Sequence, residues 1–281
     1  MSRNVIAITG ASSGIGATFA RKLAPGHDLI LIARRKDRLE ELASEFSRLY
    51  DTQSKIVEAD LSREEDLAKA AEYISNEQRL ALLINNAGFG TTGRFWESPL
   101  EVQERMHRLH IMATVRLTHA GLRNMVARDY GGIINVSSVS AFVRSPGTTS
   151  YSATKTWMTA FTEGLYLELK GMKSNVVIQA LCPGFTYSEF HDAMGFERGR
   201  LAKSGFWMTA DQVVEASLDG MRQRKPFVVP GWRYRVLTAI FSKLPTRARL
   251  AFEGITGRAR LANTLSAAAT VPKKLDGSET E

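Results

Sequence analysis

Short, uninterrupted apolar runs alternate along the chain with longer stretches whose apolar positions recur every three or four residues. Val5–Thr9, Leu29–Ala33, Leu80–Ile84, Gly132–Ser137, Val176–Leu181 and Phe227–Val229 have the first pattern and read as strands, and Lys55–Glu58, where Ile56 and Val57 stand between two charges, reads as a further one. Ile15–Leu23, Asp37–Tyr50, Arg63–Ile74, Pro99–Arg128, Ser150–Gly171 and Asp211–Met221 have the second and read as helices. A strand without a polar face must be covered on both sides, and strands separated by helices pair in parallel. The pattern predicts an α/β fold: a doubly wound parallel sheet of about seven strands, a Rossmann fold with helices on both faces. No internal repeat is visible.

No Pro- or Gly-rich linker interrupts this series before Gly231. Residues 1–232 are therefore expected to form a single domain, and 233–281 a basic helical extension. Within that extension Tyr234–Phe252 is basic and amphipathic with a break at Pro245, and Ala267–Glu281 is small, polar and expected to fray. Net charge sharpens the boundary. The total is +8, and Arg222–Glu281 alone holds 12 Lys or Arg against 4 Asp or Glu, so the body of the fold is neutral. Cys182 is the only cysteine, which excludes an internal disulfide and a thiolate metal cage, and no metal is expected. No apolar segment has the length of a signal-peptide core or of a membrane span. A cytoplasmic protein is expected, with peripheral membrane contact through the basic extension as the alternative.

The first strand runs into Thr9-Gly10-Ala11-Ser12-Ser13-Gly14-Ile15-Gly16. Glycines at a strand-to-helix passage allow a tight turn and close backbone approach, and the helix start offers free N–H groups to a phosphate. The same residues also describe a turn without a ligand. The second strand ends at Ala33-Arg34-Arg35, with no carboxylate before Asp37. In a dinucleotide fold an acidic residue there binds the ribose 2′-OH of NAD, whereas Arg accommodates the 2′-phosphate of NADP. Arg34 and Arg35 thus favour NADP(H) over NAD(H). The competing reading makes both of them surface charges of the next helix.

Tyr151 and Lys155 are four apart on a predicted helix and share one face, while Ser138 follows the strand ending at Ser137. A phenol with pKa about 10 is a poor acid–base group at neutral pH, and a nearby ammonium lowers that value. A serine hydroxyl beside the pair can hold a carbonyl oxygen where charge changes. Taken alone, a Tyr-x-x-x-Lys spacing is common and usually structural; it gains weight only from the glycine turn and the serine strand upstream.

Taken together, these residues resemble the short-chain dehydrogenase/reductase family in its plain one-domain form, from about Val5 to Val229. The resemblance rests on the glycine turn, Asp60-Leu61, Asn85-Asn86-Ala87-Gly88, Asn135-Val136-Ser137-Ser138, Tyr151-Ser152-Ala153-Thr154-Lys155 and Pro183-Gly184, in that order. It implies that Tyr151 exchanges the proton, Lys155 lowers its pKa and holds the nicotinamide ribose, and Ser138 orients the substrate oxygen. It further implies a cofactor site at Gly10, Ser12, Ser13, Gly14, Ile15 and Gly16, with Asp60 and Leu61 at the adenine. Asn86, Ala87 and Gly88 line the cleft, and Pro183, Gly184, Thr186 and Ser188 lie near the carboxamide. The implied activity is NADP(H)-dependent interconversion of a carbonyl and an alcohol.

Two positions depart from the family pattern: Ser188 stands where threonine is common, which keeps the hydroxyl, and His110 stands where an asparagine usually supports a water relay to the lysine. An imidazole can bond water through either nitrogen, which predicts an altered relay and a pH dependence from His110; a histidine without catalytic part is the competing reading. Phe89, Trp96, Phe142, Phe185, His191 and Trp207 are candidate pocket residues, or simply loop packing, and Tyr187–Phe206 holds the position of the variable substrate loop. Pro99–Arg128 and Ser150–Gly171 are the expected interface of a homodimer or homotetramer. The extension is expected to serve as a subunit contact or extra core helix, in preference to a membrane anchor. A cofactor-sensing protein without catalysis is the alternative function. No nucleic-acid signature accompanies the basic tail, and no nucleic-acid partner is expected.

Overall fold

The computed structural model describes residues 3–189, 206–251 and 253–254. The strands are β1 Val5–Thr9, β2 Asp28–Ala33, β3 Ser54–Glu58, β4 Leu80–Asn85, β5 Gly132–Val136, β6 Val177–Leu181 and β7 Phe227–Val228. They form one parallel sheet in the order β3-β2-β1-β4-β5-β6-β7. The helices are α1 Gly14–Leu23, α2 Lys36–Tyr50, α3 Glu64–Asn76, α4 Leu100–His107, α5 Ala113–Arg128, α6 Thr149–Gly171, α7 Ala210–Arg222 and α8 Trp232–Lys243.

Strand alternation divides the apolar residues between two cores. Ile6, Ile8, Leu29 and Leu31 pack with Phe19 and Ala20 of α1, Leu39 and Phe46 of α2, and Val213 and Val214 of α7. Val5, Ala7, Ile30 and Ile32 pack with Leu67 and Ile74 of α3, Leu117 and Met125 of α5, and Leu169 of α6. This is why the inner strands read as apolar runs: both their faces are buried, whereas the edge strand β3 exposes Lys55 and Glu58. Strand order reverses between β1 and β4, so a crevice opens at their carboxyl ends, where open α/β sheets bind ligands.

Three features depart from the simple pattern. The predicted Pro99–Arg128 helix contains a π turn at Arg108–Met112, where the Ala113 N–H bonds to Arg108 O. Two three-residue turns of 3₁₀ helix, Phe95–Glu97 and Val139–Ala141, were too short to leave a periodic signal. The extension is packed into the domain as far as residue 254. Tyr234, Thr238 and Phe241 of α8 are buried, and a further helical stretch over 246–251 leads to Glu253, whose Oε1 accepts the Arg144 N–H at 3.0 Å. The tail beyond 254, including the expected fraying at Ala267–Glu281, lies outside the described residues. Among the described residues no helix is long and apolar enough to cross a membrane.

Candidate active site

The glycine turn is tied to the loop after β4. Gly10 has φ +65°, and a Cβ there would come within 2.8 Å of Asn86 Nδ2 and 3.0 Å of Ala87 Cα, so only glycine fits. Asn86 Nδ2 donates to Thr9 O at 2.9 Å, and Thr9 Oγ1 accepts the N–H groups of Asn86 and Ala87, both at 2.9 Å. Asn86 thus braces the two loops that meet at the strand reversal. α1 begins at Gly14 with no acidic residue in its first turn, and the Ser13 side chain makes no capping bond. The first amides and the positive end of the helix are left for an anion, as a pyrophosphate requires.

At the end of β2 the two arginines part company. Arg35 turns to the glycine turn, where its Nε and Nη2 donate to Ser12 Oγ at 3.2 and 3.1 Å. Arg34 is exposed and lies close enough to Asp60 to favour its ionised form. Burial pushes the Asp60 carboxyl up, but hydrogen bonds from Ser62 and the charges of Arg34 and Arg105 outweigh it, and the net shift is downward. Its Oδ1 accepts the Ser62 N–H at 3.0 Å and the Ser62 hydroxyl at 2.6 Å. Leu61 is buried beside it. Two residues that sequence reasoning passed over join this corner. Glu189 Oε2 pairs with Arg35 Nη1 at 2.8 Å, and Glu189 Oε1 with Arg38 Nη1 at 3.2 Å. Arg38 was within reach of a helical-face argument, being three residues from Arg35; Glu189 had no local signal.

Ser138, Tyr151 and Lys155 come together in a buried corner between the end of β5 and α6. Burial pushes the Tyr151 phenol up to about 12, against a hydrogen bond with Ser138 that pulls it down. Lys155 Nζ donates to Val136 O at 2.8 Å and sits 5.7 Å from the centroid of the Tyr151 ring. Burial pulls its ammonium down to about 8. The expected lowering of the tyrosine by the lysine is therefore not the dominant balance in the protein alone. Desolvation outweighs it, and Tyr151 is held as a protonated acid. Cys182, buried nearby, is pushed up to about 12 by the same effect and is a thiol without nucleophilic character.

His110 is fully buried, and both its ring nitrogens are committed. Nε2 accepts the Phe89 N–H at 3.2 Å. Nδ1 lies 2.9 Å from Thr154 Oγ1, and that hydroxyl already donates to Tyr151 O, so Nδ1 carries the proton. The ring clamps the loop after β4 onto α6 at the residue next to Lys155, with no nitrogen left for a water. Burial, helped by the charges of Lys155 and His107, holds the imidazole well below its ordinary range, which removes the pH dependence expected of it. A second clamp runs through the sheet: Asn85 Nδ2 donates to Asn135 Oδ1 at 2.9 Å and to Thr118 Oγ1 at 3.0 Å, and Asn135 Nδ2 to Thr162 Oγ1 at 3.0 Å. It joins α5 to α6 beneath the Ser138–Tyr151–Lys155 corner.

Beyond β6, Pro183 O accepts the Val139 N–H at 3.0 Å and holds the loop that carries Ser138. Gly184 lies flat on the Tyr234 ring, where any Cβ would collide with it. The Tyr234 hydroxyl accepts the Phe185 N–H at 3.0 Å and donates to Phe206 O at 2.8 Å, so α8 ties Phe185 to Phe206, at the two ends of the segment expected to hold the substrate loop. Thr186 is buried and bridges Met208, and Ser188 Oγ donates to Thr186 O at 3.3 Å. Of the pocket candidates, Phe185 and Trp207 stack with Tyr187 into one aromatic wall, and Phe89 packs 6.2 Å from His110. Phe142 is partly buried after the Val139–Ala141 turn, whereas Trp96 is an exposed surface side chain. His191 and most of the loop lie outside the described residues.

Comparison with known proteins agrees with this geometry. Residues 4–197 match the family model described as short chain dehydrogenase. The chain is 34% identical over 180 residues to the 3-oxoacyl-[acyl-carrier-protein] reductase of Aquifex aeolicus, covering 63% of this chain and 72% of that protein. A short-chain dehydrogenase from Sphingobium yanoikuyae, solved in complex with NADPH, is 30% identical with a TM-score of 0.75, over 98% of this chain and 99% of that one. A bulky-bulky ketone specific alcohol dehydrogenase from Comamonas testosteroni is 28% identical with a TM-score of 0.72, over 99% and 98%.

Proposed function

The chain belongs to the short-chain dehydrogenase/reductase family, and on that premise we propose that it moves hydride between NADP(H) and a bulky, lipophilic carbonyl or alcohol, with Tyr151 as the acid–base group. The family is one of oxidoreductases acting on carbonyl and alcohol groups with a nicotinamide cofactor. The observation that carries the finer reading is the convergence of Ser138, Tyr151 and Lys155 in one buried corner, at the mouth of a crevice whose other end presents Arg35 and Ser12. A sensing protein without catalysis would have no use for that corner and is not favoured.

When bound, the nicotinamide supplies or takes the hydride. In reduction the Tyr151 phenol, held protonated by burial, donates its proton to the carbonyl oxygen. The Ser138 hydroxyl orients that oxygen and steadies the developing charge. The Lys155 ammonium, anchored on Val136 O, offsets the phenolate left behind. The NADP(H) preference is supported by Arg35 beside the glycine turn and by the NADPH complex of the Sphingobium relative. The bulky-substrate reading is supported by the Phe185–Trp207–Tyr187 wall and by the ketone preference named for the Comamonas relative. Exposed apolar side chains on α4 (Leu100), on the π turn (Met112), on α6 (Leu167) and in a stripe along α8 (Trp232, Val236, Ile240) support a homo-oligomer.

Titration with NADPH and NADH, followed by absorbance decay with ketones from small diketones to steroids, tests this reading. Tighter NADPH binding and turnover rising with ketone bulk are expected. NADH preference, or turnover confined to small aldehydes, would overturn the respective halves.

A further inference from the structure

The ribose end of the crevice already holds an anion, and that anion belongs to the chain. Glu189 reaches Arg35 Nη1 and Arg38 Nη1 with separate oxygens and takes a third hydrogen bond from the Ser13 hydroxyl. Arg35 spends its other two donating nitrogens on Ser12 Oγ. The guanidinium that faces the glycine turn therefore has its third nitrogen, Nη1, on a carboxylate. Glu189 is delivered there by its neighbours: Ser188 lies over the turn, where a Cβ on Gly14 would stand 3.2 Å from Ser188 Cβ, and Thr186 is anchored to Met208. A carboxylate tethered this closely acts at high effective concentration.

We propose that Glu189 is a specificity-determining residue that competes with the 2′-phosphate of the cofactor for Arg35 and Arg38, and so sets how strongly the protein prefers NADP(H). The inference rests on the NADP(H) reading above. A phosphate carries more charge than a carboxylate and takes a guanidinium bidentately, so it displaces Glu189 but binds less tightly than it would to vacant arginines. Arg35, Glu189 and Arg38 are half-exposed, which keeps the competition small and screened by salt. A cofactor with a plain 2′-OH gains nothing from the removal of Glu189, because a hydroxyl prefers a carboxylate partner.

The test is fluorescence titration of wild-type, E189Q and E189D protein with NADPH and NADH at low salt. E189Q should bind NADPH about threefold to tenfold more tightly and NADH no more tightly, whereas E189D, which keeps the charge, should stay near wild type. Unchanged NADPH preference in E189Q, starting from a wild type that prefers NADPH, overturns this inference and leaves the cofactor reading intact. No preference in either protein overturns the cofactor reading and this inference with it. A preference that emerges only in E189Q supports the inference in its strongest form, with Glu189 withholding the arginines.

Discussion

At one end of the crevice Ser138, Tyr151 and Lys155 are 7%, 8% and 5% exposed; at the other, the side chains of Arg35, Arg38 and Glu189 are 41%, 47% and 49% exposed. The difference decides how each end handles charge. In the buried corner desolvation outweighs every pairwise contact, moving the phenol to about 12 and the ammonium to about 8. At the exposed corner three charges arranged at hydrogen-bond distance are screened by water, and each pair is worth at most about 1 kcal/mol. On the proposed function, protonation chemistry belongs to the dry end and cofactor selectivity to the wet end. Substitutions should separate the two ends by the size of their effects.

The largest effect is expected from Tyr151→Phe, which removes the proton without changing the packing: turnover should fall about 10³-fold with NADPH affinity retained. Lys155→Met should lower kcat about 100-fold, yet raise the melting temperature at pH 7, because it deletes a buried ammonium. The sign follows from the depressed pKa. The folded protein resists protonating Lys155, so wild-type stability rises as pH climbs from about 8 toward the ordinary 10.5 and the proton is lost from the unfolded chain as well. In the same protein kcat/KM for NADPH in the reductive direction should decline above pH 8, as the ammonium is lost; a profile flat to pH 10 would show that Lys155 is not the titrating group.

His110→Ala comes next. It leaves the Phe89 N–H and the Thr154 hydroxyl short of a partner and opens a cavity, at a cost of about 2–4 kcal/mol by denaturant unfolding. Because the ring is neutral, the shape of the pH profile should be unchanged in this variant and in His110→Asn. At the wet end Arg35→Ala should weaken NADPH about tenfold and NADH little, by titration. The smallest effect is that of salt: raising ionic strength to about 0.5 M should reduce the NADPH preference about twofold to threefold while leaving hydride transfer within the bound complex unchanged.

What the sequence revealed follows the same division. The sheet was legible because both of its faces are buried, and Ile6–Ile8 against Val5–Ala7 needed no polar side to be recognised. Tyr151 and Lys155 were legible because a helix spacing puts them on one face, and Ser138 joined them through the family resemblance. The role of His110 was not: its tautomer is dictated by Thr154 and Phe89, which are 44 and 21 residues away. Glu189 was invisible for the same reason, its partner Arg35 lying 154 residues earlier. The extension after Gly231 was set apart by its charge, with a subunit contact or an extra core helix as its expected role; Tyr234 fastens it beneath Gly184, a long-range contact that no local pattern signals. Contacts set by backbone periodicity are readable locally, whereas those set by the closure of the fold are not.

The role of Tyr151 is tested most directly by a single-turnover reaction of protein preloaded with NADPH and mixed with a bulky ketone, in wild type and in Tyr151→Phe. Rapid loss of NADPH absorbance is expected in the wild type, and a variant that binds NADPH equally well but oxidises it about 10³-fold more slowly. Equal rates in the two proteins would contradict it, because the proton would then come from a group other than Tyr151.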